Sequence, residues 1–136
     1  MVRDIVRDQF FLRIPSRPAT AEDIPVADAL METLRANAER CVGMAANMIG
    51  ANVRIIAISD DGKYMEMFNP VIMKKDGPFD TVEGCLSLDG TRPVRRYRSI
   101  KVQWQTRDMK SRVRAFTGFT AQIIQHEVDH LSGIII

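Results

Sequence analysis

A chain of 136 residues has the length of one ordinary domain, enough to bury most of its unfolded surface around one core, so residues 1–136 are expected to form a single domain without a linker. With 46% hydrophobic and 26% charged residues the composition is globular, and no apolar run approaches the roughly 18 residues of a membrane span. A formal charge of +2 argues against strong non-specific binding to nucleic acid. The opening "MVRDIVRDQFFLRIPSRP" scatters Arg and Asp through any would-be secretory core, so a cytoplasmic location is expected. In a reducing compartment Cys41 and Cys85 are ligands, nucleophiles or buried packing residues rather than a disulfide.

In chain order, the first periodic segment runs from about residue 23 to 40, where Val26, Leu30, Leu34 and Ala38 recur every four residues. Pro25 is tolerated in a first turn, and Asp23 or Thr20 can cap it, so this is an amphipathic surface helix. Between residues 51 and 115 the period changes to two. "VRIIAI", "YMEMF", "VIM" and above all "SIKVQWQ" read as half-buried, antiparallel strands. The cluster "TRPVRRYRS", with Arg92, Arg95, Arg96 and Arg98, reads as the solvated face of a strand. "TRDMKS" is a hairpin turn, "RVRAF" resumes the alternation, and Gly118 ends it before a second helix from about residue 119 to 131. The fold class is α+β, with antiparallel strands packed around a buried C-terminal helix.

That second helix carries both histidines of the chain. At about 100° per residue, Phe119, Ile123, His126 and His130 share one stripe, while Ile124, Val128 and Leu131 form a second, so the helix is buried on two sides. "HEVDH" sets His126 and His130 one turn apart with Glu127 beside the first, the H-E-x-x-H arrangement of metal hydrolases. Two histidines do not complete a ligand set. In one class of H-E-x-x-H enzymes the third ligand is a histidine six residues after the second, and here Ile136 holds that place. Another class uses a glutamate on a later helix, and only six residues follow His130. The third ligand is therefore expected upstream, and a thiolate with two imidazoles leaves one tetrahedral position open. Cys41, at the end of the first helix, and Cys85, in the glycine-bracketed loop "VEGCLSLDG", are the candidates.

Three segments resemble, in order and over almost the whole chain, the signature motifs of peptide deformylases: "VGMAANMIG" (42–50), "EGCLS" (83–87) and "QHEVDHLSG" (125–133). The resemblance implies that Cys85, His126 and His130 bind one divalent metal, most often Fe(II), with Zn, Ni or Co as substitutes, and that Glu127 is the general acid and base. Cys41, where the family generally has glycine, then becomes a packing residue. The implied reaction removes the N-formyl group from N-formylmethionyl peptides of nascent, ribosome-associated chains and releases formate. Against the usual bacterial form the chain stops before a C-terminal helix.

The same resemblance exposes a departure. Two donors usually polarise the formyl oxygen: the backbone N–H at Leu86 and a glutamine side chain at the position held here by Met48. A thioether donates no hydrogen bond. Loss of one such donor has cost other hydrolases about 10² to 10³ in turnover, so a slow enzyme is expected unless Asn47, Gln122 or Gln125 supplies a replacement. The peptide is expected to lie as an added strand near Val42 and Gly43, with the methionine side chain in a pocket of Val42, Phe119, Ile123 and His126 and with Arg92 nearby. Two other readings stand beside this one: a deformylase-like paralogue that binds metal and peptide N-termini with little turnover, and an amidase for another small acylated amine.

Overall fold

In the computed structural model, which describes residues 1–136, the alternating segments form one antiparallel sheet in chain order. Its strands are β1 (Gly43–Ala45), β2 (Ile55–Asp60), β3 (Lys63–Cys85), β4 (Leu88–Gln105) and β5 (Ser111–Thr117). Three helices accompany it: α1 (Gln9–Leu12), α2 (Ile24–Ala36) and α3 (Gly118–Leu131). Both longer helices pack on β1 and β2, and α3 also meets β4 and β5. The core between them is built from Leu30 and Leu34 of α2, Ile56 and Ile58 of β2, Phe68 of β3 and Ile124 and Leu131 of α3, all fully buried. None of the helices is long and apolar enough to cross a membrane.

The first helix is shorter than its period suggests. Thr20 and Asp23 close a capping box around a short 3₁₀ turn, α2 starts at Ile24 with Pro25 in its first turn, and the helix stops at Ala36, leaving Ala38 exposed. Asn37 terminates it by donating its side-chain amide to the Thr33 carbonyl at 2.8 Å.

The strands are longer than expected. "YMEMF" and "VIM" merge into β3 across a register shift between Phe68 and Val71, where Asn69 takes a positive φ of 51°. That bulge absorbs Pro70, which has no N–H to give to the ladder. Cys85 does not sit in a loop: it is the last residue of β3, paired with Leu88 across a turn containing only Leu86 and Ser87. β3 and β4 pair well beyond the reach of β2 and β5, so residues 76–98 form a two-stranded arm with Cys85 at its tip. The arginine cluster also divides. Arg95 and Arg98 are exposed, whereas Arg96 is 5% exposed and is therefore no part of a solvated face.

β1 meets α3 at Gly43, which leaves almost no room for a side chain. A Cβ there would lie 2.6 Å from Ile123 Cγ2 and 3.0 Å from Glu127 Oε2. Gly43→Ala is predicted to destabilise the fold by about 1–3 kcal/mol through overpacking, measured by denaturant unfolding. A variant as stable as the parent would show that α3 is not pressed against this strand.

Candidate metal centre

The third turn of α3 places His126 and His130 one above the other, with their Nε2 atoms 3.0 Å apart. The arm brings Cys85 to the same point. Its Sγ and one nitrogen from each imidazole all lie within 4.8 Å of one another. Ser87 N–H approaches the sulfur at 3.5 Å. Cys41 lines the adjoining cavity but is not part of this convergence, and its thiol instead donates to the Gly43 carbonyl at 2.8 Å. Burial, and then the Glu127 charge, push the Cys41 thiol up to about 12, which keeps it protonated and inert.

The arm and the helix are joined by charge. Glu83, two residues before Cys85, accepts His126 Nδ1–H at 2.8 Å, and since a carboxylate only accepts, Nε2 is the ring nitrogen left to face Cys85 and His130. Arg96 donates to Glu83 through Nε at 3.0 and 3.1 Å and through Nη2 at 2.7 Å, and its Nη1 reaches Asp129 of α3 at 2.7 Å. Gln122 Nε2 adds a bond to Glu83 at 2.9 Å. Burial works to raise the Glu83 pKa, but the bonds from His126, Arg96 and Gln122 outweigh it and hold the group down to about 2. From sequence Glu83 and Asp129 carry no expected role, and Arg96 is expected on a solvated strand face. The glutamate beside Cys85 in "EGCLS" was the available signal.

Glu127 behaves in the opposite way. It is 4% exposed, its Oε1 has no hydrogen-bond partner, and burial pushes it up to about 7 despite the nearby His126. The histidine pair splits as well. Burial and the neighbouring His126 lower His130 to about 3, while Glu127, Cys85 and Glu83 overcome burial and raise His126 to about 10. Of the two facing imidazoles His126 holds a proton the more readily, and their Nε2 atoms converge on one place. A divalent cation fits that place: nitrogen and sulfur donors converge, and His130 Nδ1 and Glu127 Oε1 are buried atoms still without partners.

The centre opens on a cavity of about 470 Å³ lined on its apolar side by Val42, Met48, Val82, Leu86, Phe119 and Ile123, and on its polar side by Glu83, Gln122, His126 and Glu127.

A polypeptide deformylase family model matches residues 3–136. A peptide deformylase of Clostridium beijerinckii is 50% identical over 136 residues, covering 100% of both chains, and one of Desulfitobacterium hafniense is 35% identical over 90% of this chain and 81% of its own. The chain belongs to the peptide deformylase family. The crystal structure of a class I type b peptide deformylase from Acinetobacter baumannii with Met-Ala-Ser bound superposes with a TM-score of 0.89 at 28% identity, over 99% of this chain and 97% of that one.

Within this deformylase fold most expected pocket residues come together. Val42, Gly43, Met48, Leu86, Phe119 and Ile123 line one cavity with Cys85 and His126. Phe119 is 63% exposed, so it forms a rim and not the buried stripe its spacing suggests. Arg92 is outside: it does not line the cavity and donates to the Asp89 carbonyl at 3.2 Å, held in the turn of the arm. Of the three amides named as replacement donors, only Gln125 has both N–H groups engaged. Asn47 Nδ2 donates to the His130 carbonyl at 2.9 Å, Gln125 Nε2 to the Tyr97 and Ala121 carbonyls at 2.8 and 2.9 Å, and Gln122 to Glu83. Met48 itself accepts the Ala45 N–H at Sδ, 3.4 Å away.

A carboxylate whose folded pKa lies below its unfolded value stabilises the fold above the unfolded value. For Glu83 that contribution is complete above pH about 4.5 and is lost as pH falls to about 2. Glu83→Gln is predicted to be less stable than the parent at pH 7 and to lose less on acidification, measured as denaturation midpoints across that window. Parallel pH curves for the two proteins would remove Glu83 as the electrostatic tie.

Proposed function

We propose that the chain removes the formyl group from N-formylmethionyl peptides of nascent chains at the ribosome, in the cytoplasm, with Cys85, His126 and His130 holding an Fe(II) ion and Glu127 moving the proton. The observation that carries this reading is the convergence of one thiol and two imidazoles beside a buried glutamate whose carboxyl is raised to about 7. Family membership, and the Met-Ala-Ser peptide in the Acinetobacter baumannii structure, support the substrate class. A divalent ion bound there supplies Lewis acidity and makes water nucleophilic near neutral pH.

The chain's own residues do the rest. Glu127, poised near neutrality, accepts a proton from the attacking water and returns it to the departing amine nitrogen. One O–H bond of water and the formyl C–N bond break, a C–O bond forms, and formate leaves beside a free amino terminus. The backbone N–H of Leu86, in the turn directly after Cys85, polarises the formyl oxygen. β1 is an edge strand, so an extended peptide can add to it near Val42 and Gly43. The methionine side chain enters between Val42, Phe119 and Ile123.

Formate release from formyl-Met-Ala-Ser, assayed anaerobically with Fe(II) or in the Ni form, tests the activity. Glu127→Gln is predicted to keep the metal and lose about 10²- to 10⁴-fold in turnover, because an amide cannot take the proton. Activity within a few-fold of the parent would rule out Glu127 as the carrier.

Met48 favours the second reading, a paralogue that binds peptide N-termini with weak turnover, since its thioether offers the formyl oxygen no hydrogen. Met48→Gln separates the two. A glutamine there can accept the Ala45 N–H through its oxygen and turn its amide toward the cavity. The expected result is a gain of about tenfold or more in kcat with KM little changed, as for a donor made in the transition state. A folded, fully metallated variant that is no faster would show that position 48 is not the missing donor.

A further inference from the structure

The tip of the β3–β4 arm carries Cys85 but lies outside the ladders that hold the rest of the sheet, since neither β2 nor β5 pairs with residues 76–98. A thiolate ligand on such a tip leaves whenever the tip lifts. Something must press it down, and the charges of Glu83 and Arg96 act on the base of the tip, on the side of α3. On the other side the tip meets Arg7, which lies in a segment with no regular structure. There Arg7 forks across the turn: Nη1 donates to the Leu86 carbonyl at 3.1 Å and Nη2 to Asp89 Oδ1 at 2.7 Å. The segment is itself anchored, because Val6 N–H donates to the Met48 carbonyl at 2.7 Å and Ile5 packs against the core.

We infer that Arg7 is a positioning residue, a latch that ties the Cys85 turn to the segment bearing Met48 and slows the release of the metal. The inference rests on the ligand reading above. Asp89 is 96% exposed, so the ion pair alone would be screened and weak. Its leverage comes from place. The fork also holds the carbonyl of Leu86, the residue directly after the thiolate, and its bonds close a connection between segments about 80 residues apart in sequence. Each opening of the tip must break both bonds before the sulfur can move away.

The test is the rate at which Ni-loaded protein yields its metal to excess chelator, well below the melting temperature. Arg7→Ala is expected to lose nickel about threefold to fivefold faster, Asp89→Asn less so because the Leu86 bond survives, and the exchange Arg7→Asp with Asp89→Arg to recover part of the loss. Added salt is expected to speed the parent and leave Arg7→Ala unchanged. Arg17→Ala, which breaks an ion pair with Asp23 at the start of α2 and makes no bond to the arm, serves as the control for general destabilisation. An Arg7→Ala rate equal to the parent's, or equal acceleration in Arg17→Ala, overturns the latch. Cys85→Ser that binds and retains nickel as the parent does would instead overturn the ligand reading beneath it.

Discussion

The buried carboxylate of Glu83 is the joint on which the site depends. It belongs to the arm, yet it takes its hydrogen bonds from His126 and Gln122 of α3 as well as from Arg96 of the facing strand, and Arg96 in turn reaches back to Asp129 of the helix. A β-hairpin arm has no core of its own, so this cluster, together with Gln125 of α3 bonded to the Tyr97 backbone nearer the base of the arm, fixes the distance from Cys85 to the two imidazoles. Buried ion pairs are weak sources of net stability, because desolvation consumes most of what the charges return. Their value here is position: Glu83 sets the ring of His126, fixes its tautomer and places the thiol two residues later.

The same pocket holds two carboxylates in opposite states. Glu83 is surrounded by donors and stays ionised far into acid, whereas Glu127 has one oxygen with no partner and titrates near neutrality. One is a fixed charge and the other can exchange a proton near neutral pH, as the proposed reaction requires, and environment alone separates the two. Gly43 belongs to this division, since the absence of a side chain there is what lets Glu127 come against β1 without being bonded by it.

The helix and most strands were readable in the sequence because their burial follows one period. Val102 and Trp104 point inward while Lys101 and Gln103 point out, and His126 and His130 fall one turn apart whatever surrounds them. What could not be read depends on pairing between distant segments. Arg96 looks solvated as one cation among four, and only the register of β3 on β4 puts it on the same face as Glu83, with Asp129 arriving from the helix. The merging of "YMEMF" with "VIM" was hidden by Pro70, which breaks a strand pattern unless a bulge takes it up. Cys85 was identified through the resemblance of its motif, because local composition describes a glycine-flanked turn equally well as a loop or as the tip of a hairpin.

Met48 is where site and family pattern part. The fold has not left a hole, since the thioether accepts a backbone N–H. The proposed ligands converge beside Glu127, and in the proposed reaction the chemistry of the oxyanion is the variable. All of it presupposes that one ion binds through Cys85 and the two histidines. Metal analysis with X-ray absorption on the Ni-loaded parent, Cys85→Ala and Cys41→Ala tests this most directly. The account predicts about one equivalent with a single sulfur and two imidazole ligands in the parent and in Cys41→Ala, and no tightly held metal in Cys85→Ala. A full, sulfur-ligated site in Cys85→Ala with an empty Cys41→Ala would contradict it.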